Sequence, residues 1–410
     1  MRVLLSTIGS RGDVQPLVAL ATQLTALGQQ VRLCVPPDFR EWVESLGMPV
    51  VSIGPELRRP SASMPSTSPP TATPTLTPEL RRQLAEASVA TQFETIASAA
   101  NDCDIIVAAT ALQIAARSVA EKKGIPYIFA AYCPNVLPSP QHAPPPLPSF
   151  SGQAPPVSAD NSELWVRNAQ RFSDLFGGAL NAHRASIGLA PINDVQRYVL
   201  SDRPWLAADA TLAPWPDASD DGVVQTGAWI LPDERPLTFD LERFLDAGEP
   251  PVYFGFGSMR APEDLARVMI ESARALGRRI IVSRGWADLS LVDHGPDCLA
   301  IGEVNQQSLF KRVAAVVHHG GAGTTTAAAM AGAAQVIVPQ IYDQHYFARR
   351  VDDLGIGSAH AAGRPTAASL TVALEGSLQP EVAVRARSIA SAMRRDGAQA
   401  AAQLLMSGLA

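Results

Sequence analysis

Two histidines, three glycines and a row of threonines stand where the chain passes from strand to helix. Residues 313–344 read VAAVVHHGGAGTTTAAAMAGAAQVIVPQIYDQ. An apolar run at 314–317 leads through His318, His319, Gly320, Gly321, Ala322 and Gly323 into good helix formers at 324–331, and a second strand follows at 335–338. The first N–H groups of a helix have no internal partner and lie at the positive end of its dipole, so such a junction favours an anion. Glycine removes the Cβ that would hold a phosphate away from the backbone, and Thr324 and the histidines add further donors. A diphosphate fits this loop. So does a tight turn whose glycines only pack, and spacing alone leaves both open. Neither common nucleotide fingerprint is present: Thr326 stands where a third glycine would complete G-x-G-x-x-G, and no lysine follows the loop.

A second chemical candidate lies near the amino terminus, where Gly9, Ser10, Arg11, Gly12 and Asp13 separate the first strand from the first helix. Asp13 suits two roles, an N-cap accepting from the next N–H groups or a general base at the ligand edge of the sheet. Cap hydrogen bonds and the helix dipole predict a lowered pKa for it. Metal chemistry finds little support. The one D-x-D, at Asp102 and Asp104, precedes its strand at the wrong edge of the sheet, and His318 and His319 are adjacent rather than at ligand spacing. The absence of a G-x-S-x-G elbow argues against an α/β-hydrolase.

The elements that must hold these groups alternate. Strands at 3–6, 31–35, 49–53, 105–108, 127–130 and 204–208 are interleaved with helices at 39–46, 80–100, 111–122 and 162–186 and with a first helix carrying Leu17, Leu20, Ala21 and Leu24 on one face. A second series opens with a strand at 252–256, continues through a helix at 262–276, strands at 279–282 and 299–301 and a helix at 306–312, and reaches the histidine–glycine loop. Helices at 346–354, 367–375, 382–394 and 399–405 close it. Such alternation predicts two doubly wound parallel-sheet α/β domains. The expected division is 1–213, a polar, proline-bearing linker at 214–236, a second domain at 237–380 and closing helices at 381–410. Proline-rich loops at 55–78 and 134–156 leave the carboxyl ends of strands, the edge where such sheets bind ligands.

Length and composition agree with this plan. The 410 residues exceed what one core usually holds, 47% are hydrophobic, and the net charge of −6 comes without a basic run, which argues against nucleic acid. Cys34, Cys103, Cys133 and Cys298 are too scattered for a metal or redox motif and read as reduced. The first strand begins at once and no apolar run reaches a membrane-spanning length, so a cytoplasmic protein without integral membrane association is expected.

Taken together, SRGDVQPLVALA from Ser10, FGSM from Phe256, SRGW from Ser283, HHGGAGTT from His318, the later Asp343–Gln344 pair and a mid-chain TGAW resemble the nucleotide-sugar glycosyltransferases of the GT-B fold, two Rossmann-like domains facing across a cleft. The resemblance spans nearly the whole chain and is nearest to the enzymes that glycosylate vancomycin- and teicoplanin-type antibiotics. It implies that Asp13 is the general base, and that Ser10, Arg11 and Gly12 line the cleft beside the donor phosphates. Ser258, His319, Gly320, Gly321, Gly323 and Thr324 would hold the diphosphate, Trp286 and Val304 the nucleobase, and Asp343 and Gln344 the donor sugar. The activity implied is inverting transfer of a deoxysugar from a dTDP-sugar to a glycopeptide aglycone by a monomer needing no metal or other cofactor. A nucleotide-sugar epimerase on the same fold and a non-catalytic helper protein are the alternatives; only the epimerase would convert a nucleotide sugar without an acceptor.

Overall fold

The structure, a computed structural model, describes residues 1–58, 77–145, 160–217, 222–259, 264–286, 295–361 and 364–408. Most of the two proline-rich loops at 55–78 and 134–156 therefore lies outside the described residues. In the first domain the chain runs β1 (Arg2–Thr7), α1 (Arg11–Ala26), β2 (Gln30–Val35), α2 (Arg40–Ser45), β3 (Val50–Ser52), α3 (Pro78–Ala99), β4 (Ile105–Ala109), α4 (Ala116–Lys123), β5 (Tyr127–Ala131), α5 (Asn161–Ser186), α6 (Val195–Leu200), β6 (Trp205–Leu206) and β7 (Val224–Gln225). The second contains α7 (Phe239–Asp246), β8 (Val252–Gly255), α8 (Leu265–Ala275), β9 (Ile280–Ser283), β10 (Cys298–Ile301), α9 (Gln306–Leu309), β11 (Ala315–His318), α10 (Ala322–Ala331), β12 (Ala334–Ile337), α11 (Gln344–Asp353), β13 (Gly357–Ala359) and α12 (Ala367–Ser377). Two further helices follow, α13 (Pro380–Ala392) and α14 (Gly397–Met406).

Among the described residues every pairing between these strands is parallel. The first sheet has the order β3-β2-β1-β4-β5-β6-β7 and the second β10-β9-β8-β11-β12-β13. A parallel sheet is covered on both faces, which is why its strands are apolar throughout rather than alternating. Leu4, Ile106 and Phe129 point into one core with Val89 and Phe93 of α3, while Val3, Leu5 and Val107 meet Leu17, Leu20 and Leu24 of α1 on the other face. In each sheet the strand order reverses beside the first strand, between β1 and β4 and between β8 and β11. Loops diverge there and leave a crevice. Asp13 follows β1, Ser258 follows β8 and the histidine–glycine loop follows β11, so all three emerge at switch points.

The structure differs from the sequence reading in its short elements. β7 falls inside the expected linker and extends the first sheet by pairing Val224 with Trp205. Two residues are too few for a periodic signal, and only the neighbouring strand makes them a strand. The reading also missed the three-residue β13 and the helices α6 and α7, and α4 starts later than expected, at Ala116.

The closing helices do not stay with the second sheet. Ala398, Ala401, Ala402 and Leu405 of α14 are buried in the core under α1 of the first domain. Covering a leucine-sized side chain there is worth about 1.5–3 kcal/mol. Phe347 and Val351 of α11, Ala386 of α13 and Met393 just after it join the other core of the first domain, and Arg350 Nε donates to the Leu212 carbonyl at 3.0 Å. The domains thus share packed surface beside their cleft.

Candidate active site

Ser10 is the N-cap of α1 and Asp13 its third helical residue. The Asp13 carboxylate reaches back to accept from the Ser10 backbone N–H at 2.6 Å and from the Ser10 hydroxyl at 3.1 Å. Two expectations are corrected here. Asp13 is not the N-cap, and its pKa is not lowered: burial pushes it up to about 6, outweighing the Ser10 hydrogen bonds that pull the other way. Part of its surface stays open to the cleft, but protein surrounds the rest. Gly9 allows this arrangement, because a Cβ there would lie 2.2 Å from Asp13 Oδ2. The Tyr132 hydroxyl donates to the Asp13 backbone carbonyl at 3.1 Å.

Arg11, expected beside phosphates with Gly12, is engaged elsewhere. Its guanidinium lies 4.1 Å from the Trp42 ring centroid and 3.0 Å from Glu303 of the second domain. Glu303 also meets Arg235, which pairs with Asp233 at 2.7 Å. Trp286 makes a second contact between the domains, stacking on Phe39 with centroids 5.9 Å apart and planes at 21°. Its backbone N–H donates to the Gly257 carbonyl at 2.9 Å, which ties the loops after β8 and β9 together next to Ser258. Val304 packs instead beside Leu309, Phe310 and Tyr253, so the structure does not join it to Trp286 in one cluster.

The two histidines separate by environment. His318 is fully buried, with Nε2 2.9 Å from Gln335 Oε1 and Nδ1 accepting from the Gly320 N–H at 3.1 Å. Burial, with its neighbour His319, depresses its pKa to about 3, so it is a neutral structural residue. Gly320 adopts φ +94 and would place a Cβ 2.6 Å from Ile337 Cγ2; with its N–H committed to His318, it shapes the turn. His319 is different. Its ring lies between Gly257 and Gly321, and its buried Nδ1 has no protein partner. Burial lowers its pKa to about 4, partly offset by the Gly255 backbone, so at neutral pH it is neutral. Gly321 is the N-cap of α10, and Gly323 and Thr324 lie in the first turn, Gly323 exposed. An unpartnered buried imidazole nitrogen beside a helix N-terminus fits a diphosphate.

Asp343 and Gln344 open α11. The Ala322 backbone at the head of α10 lies near enough to the Asp343 carboxyl to pull its pKa down, which brings Asp343 onto the glycine loop. Burial first, and the charge of Asp13 second, raise its pKa to about 7. Gln344 Oε1 accepts from the N–H groups of Gln340 and Ile341 at 2.8 and 3.1 Å and holds the turn before α11, in which Tyr342 sits at φ +52 with 41% of its surface exposed. The structure therefore joins Asp13, Asp343, the α10 N-terminus and His319 around one cleft. Sequence reasoning missed Phe39, Tyr132 and Tyr342; an aromatic at a strand end was visible, but nothing distinguished it from core. Among the described residues no cluster of His, Cys, Asp or Glu could hold a metal, and no helix is long and apolar enough to cross a membrane.

Comparison with known proteins gives the same picture from another direction. Residues 3–139 match the glycosyltransferase family 28 N-terminal domain, and residues 267–402 match the erythromycin biosynthesis protein CIII-like C-terminal domain. From Amycolatopsis orientalis, glycosyltransferase GtfE is 52% identical over 100% of this chain and 98% of its own. Vancomycin aglycone glucosyltransferase is 51% identical (99% and 97% covered), and dTDP-epi-vancosaminyltransferase 45% identical (95% and 93%), both from the same organism. Among solved structures, the glycotransferase of kitacinnamycin superposes with TM-score 0.72 at 19% identity, covering 99% of this chain and 98% of the other. The Streptomyces sp. SF2575 enzyme SsfS6 in complex with thymidine diphosphate gives 0.63 at 20% identity, with 99% of each chain covered.

Proposed function

The chain belongs to the vancomycin-type glycopeptide glycosyltransferases, and from that membership we propose that it moves a sugar, a deoxysugar among the candidates, from a dTDP-sugar to a hydroxyl of a glycopeptide aglycone or pseudoaglycone with inversion at the anomeric carbon. The first domain (1–213) would take the acceptor and the second (237–380) the nucleotide sugar, with 214–236 linking them and the 381–410 helices tying the second back to the first. One observation carries the reading: Asp343 lies against the head of the glycine-loop helix and within the field of Asp13, which supports a base and a diphosphate cradle in one cleft.

In the proposed reaction the ionised Asp13 takes the proton of an acceptor hydroxyl, whose oxygen attacks the anomeric carbon from the side opposite the diphosphate. Such base catalysis is worth about 10²–10⁴-fold. The bond to the β-phosphate oxygen breaks, and the charge released is met by the N–H groups of Gly321 to Thr324, by Ser258 and by the His319 ring, fixed dipoles that need little reorganisation. These protein groups, rather than a metal, would carry that charge. In this reading Asp343 and the amide of Gln344 would bond the donor sugar, Trp286 and Val304 would flank the nucleobase, and Ser10 and Gly12 would close the phosphate side, with Arg11 joining them only on leaving Glu303.

Incubation with dTDP-glucose or UDP-glucose and vancomycin aglycone, with EDTA present, tests this by mass spectrometry of the glycosylated product and by the anomeric coupling constant. A product with inverted configuration and acceptor-dependent dTDP release is expected. Sugar conversion without acceptor would replace this reading with an epimerase, and nucleotide binding without turnover on any aglycone would favour the helper protein.

A further inference from the structure

The TGAW segment has no role in the chemistry above, yet it is joined to Asp13 through side chains. Its Trp229 is 3% exposed and fixed by an indole N–H donated to Thr226 Oγ1 at 2.9 Å. The Trp229 ring stands edge-on to Trp205, with centroids 6.3 Å apart and planes at 84°, and edge-on to Tyr132 at 6.2 Å and 74°. Tyr132, the first residue after β5, in turn donates its hydroxyl to the Asp13 carbonyl at 3.1 Å. The same segment is pressed against the start of α14: a Cβ on Gly227 would lie 3.2 Å from Gly397 Cα, and one on Gly397 would lie 2.4 Å from the Ala228 carbonyl oxygen. The chain here passes out of the first sheet toward the second domain, so a wall of three aromatic rings joins the first turn of α1 to the interdomain crossing.

We propose that Tyr132, clamped by Trp229, is a positioning residue for Asp13, fixing how far its carboxyl group reaches into the cleft and keeping solvent from its buried side. This rests on the reading of Asp13 as the base. A phenol whose ring cannot turn holds the carbonyl it bonds to within a narrow range of positions. Base catalysis depends on a heavy-atom approach of hydrogen-bond length, so loosening that turn affects turnover before it affects nucleotide binding. The titratable groups facing Asp13 are Tyr132 after β5 and Tyr342 and Asp343 from the turn before α11.

The full chain is labelled with ¹³C in its aspartate side chains, Asp13 is assigned by its loss in Asp13→Asn, and its titration is followed in wild type, Tyr132→Phe, Trp229→Phe and Tyr127→Phe. The last is a control that removes another tyrosine hydrogen bond from β5, to the Val199 carbonyl at 2.9 Å. In Tyr132→Phe water reaches the carboxyl, so its midpoint falls by about half a unit or more toward the ordinary value. Trp229→Phe moves it the same way by less, and Tyr127→Phe leaves it unmoved. With dTDP-glucose and vancomycin aglycone as probes, kcat in Tyr132→Phe falls roughly tenfold while the Kd for dTDP is unchanged. An Asp13 midpoint identical to wild type in Tyr132→Phe overturns the proposal. A shifted midpoint in a protein that transfers no sugar upholds the positioning and overturns the role of Asp13 as base.

Discussion

Asp13 and Asp343 come from opposite domains to one cleft, and both carboxyls are held above the ordinary carboxylate range, by burial first. Burial pushes Asp13 up to about 6 against its Ser10 hydrogen bonds, and at Asp343, pushed up to about 7, the charge of Asp13 adds to burial.

The first consequence concerns the pH profile. A base whose pKa is raised to about 6 is competent above that pH and is lost as pH falls through it. The acid limb of kcat/KM should lie near pH 6 rather than near the ordinary carboxylate value. Asp13→Asn should lower kcat by about 10²–10⁴-fold while calorimetry finds dTDP binding intact.

The second concerns stability, with the sign opposite to that of a salt-bridged carboxylate. Asp343 ionises near 3.8 when unfolded and near 7 when folded, so the unfolded state sheds its proton first. The group costs nothing below about pH 3.8, and stability is lost progressively as pH rises from there to about 7. Asp343→Asn should therefore stabilise the fold at pH 8 by about 1–2 kcal/mol, reduced from the full linkage value by cleft water. Thermal denaturation at pH 8 and pH 4 checks this; an equal gain at both would rule it out.

A third prediction uses Gly9. A methyl group there would overlap Asp13 Oδ2 and must drive the carboxylate from its place. Gly9→Ala should cost catalysis nearly as much as Asp13→Asn, and a crystal structure should show Asp13 rotated away from the Ser10 N–H. Full activity in this variant would mean that the observed carboxylate position is not the working one.

The fourth concerns protons and the nucleotide. Burial holds His319 at a pKa of about 4 and Asp343 at about 7, so near pH 6.5 the first is neutral and the second largely protonated. A bound diphosphate raises the proton affinity of both, so dTDP binding near pH 6.5 should take up protons. Heats measured in buffers of different ionisation enthalpy report this directly. The uptake should shrink in His319→Gln, and His319→Ala should lose most of the dTDP-induced thermal shift.

Much of the plan was legible before any coordinates. Apolar runs such as those of β1, β4 and β11 are long enough to be read as buried parallel strands, whereas the glycine-rich junction opening a helix left an anion site and a packing turn both open. Asp13 could be singled out as a cap or a base from residue type and place along the chain; His319 and Asp343 were singled out by the family resemblance. Which of two adjacent histidines keeps a free nitrogen was not local: His318 is engaged by Gln335 from the next strand.

What tertiary structure alone decided is the state of those groups. Sequence chemistry ranked the cap bonds of Asp13 first and predicted a lowered pKa. Burial won, because desolvation depends on everything packed around a carboxyl, including Tyr132 and the turn before α11, and none of that is written next to Asp13. The engagement of Arg11 by Glu303, the return of α14 to the first domain and the two-residue β7 are likewise contacts between distant segments. The sequence determined which groups could do chemistry and on which edges of the sheets they stand; their charge, their reach and their partners follow from how two domains close on one another.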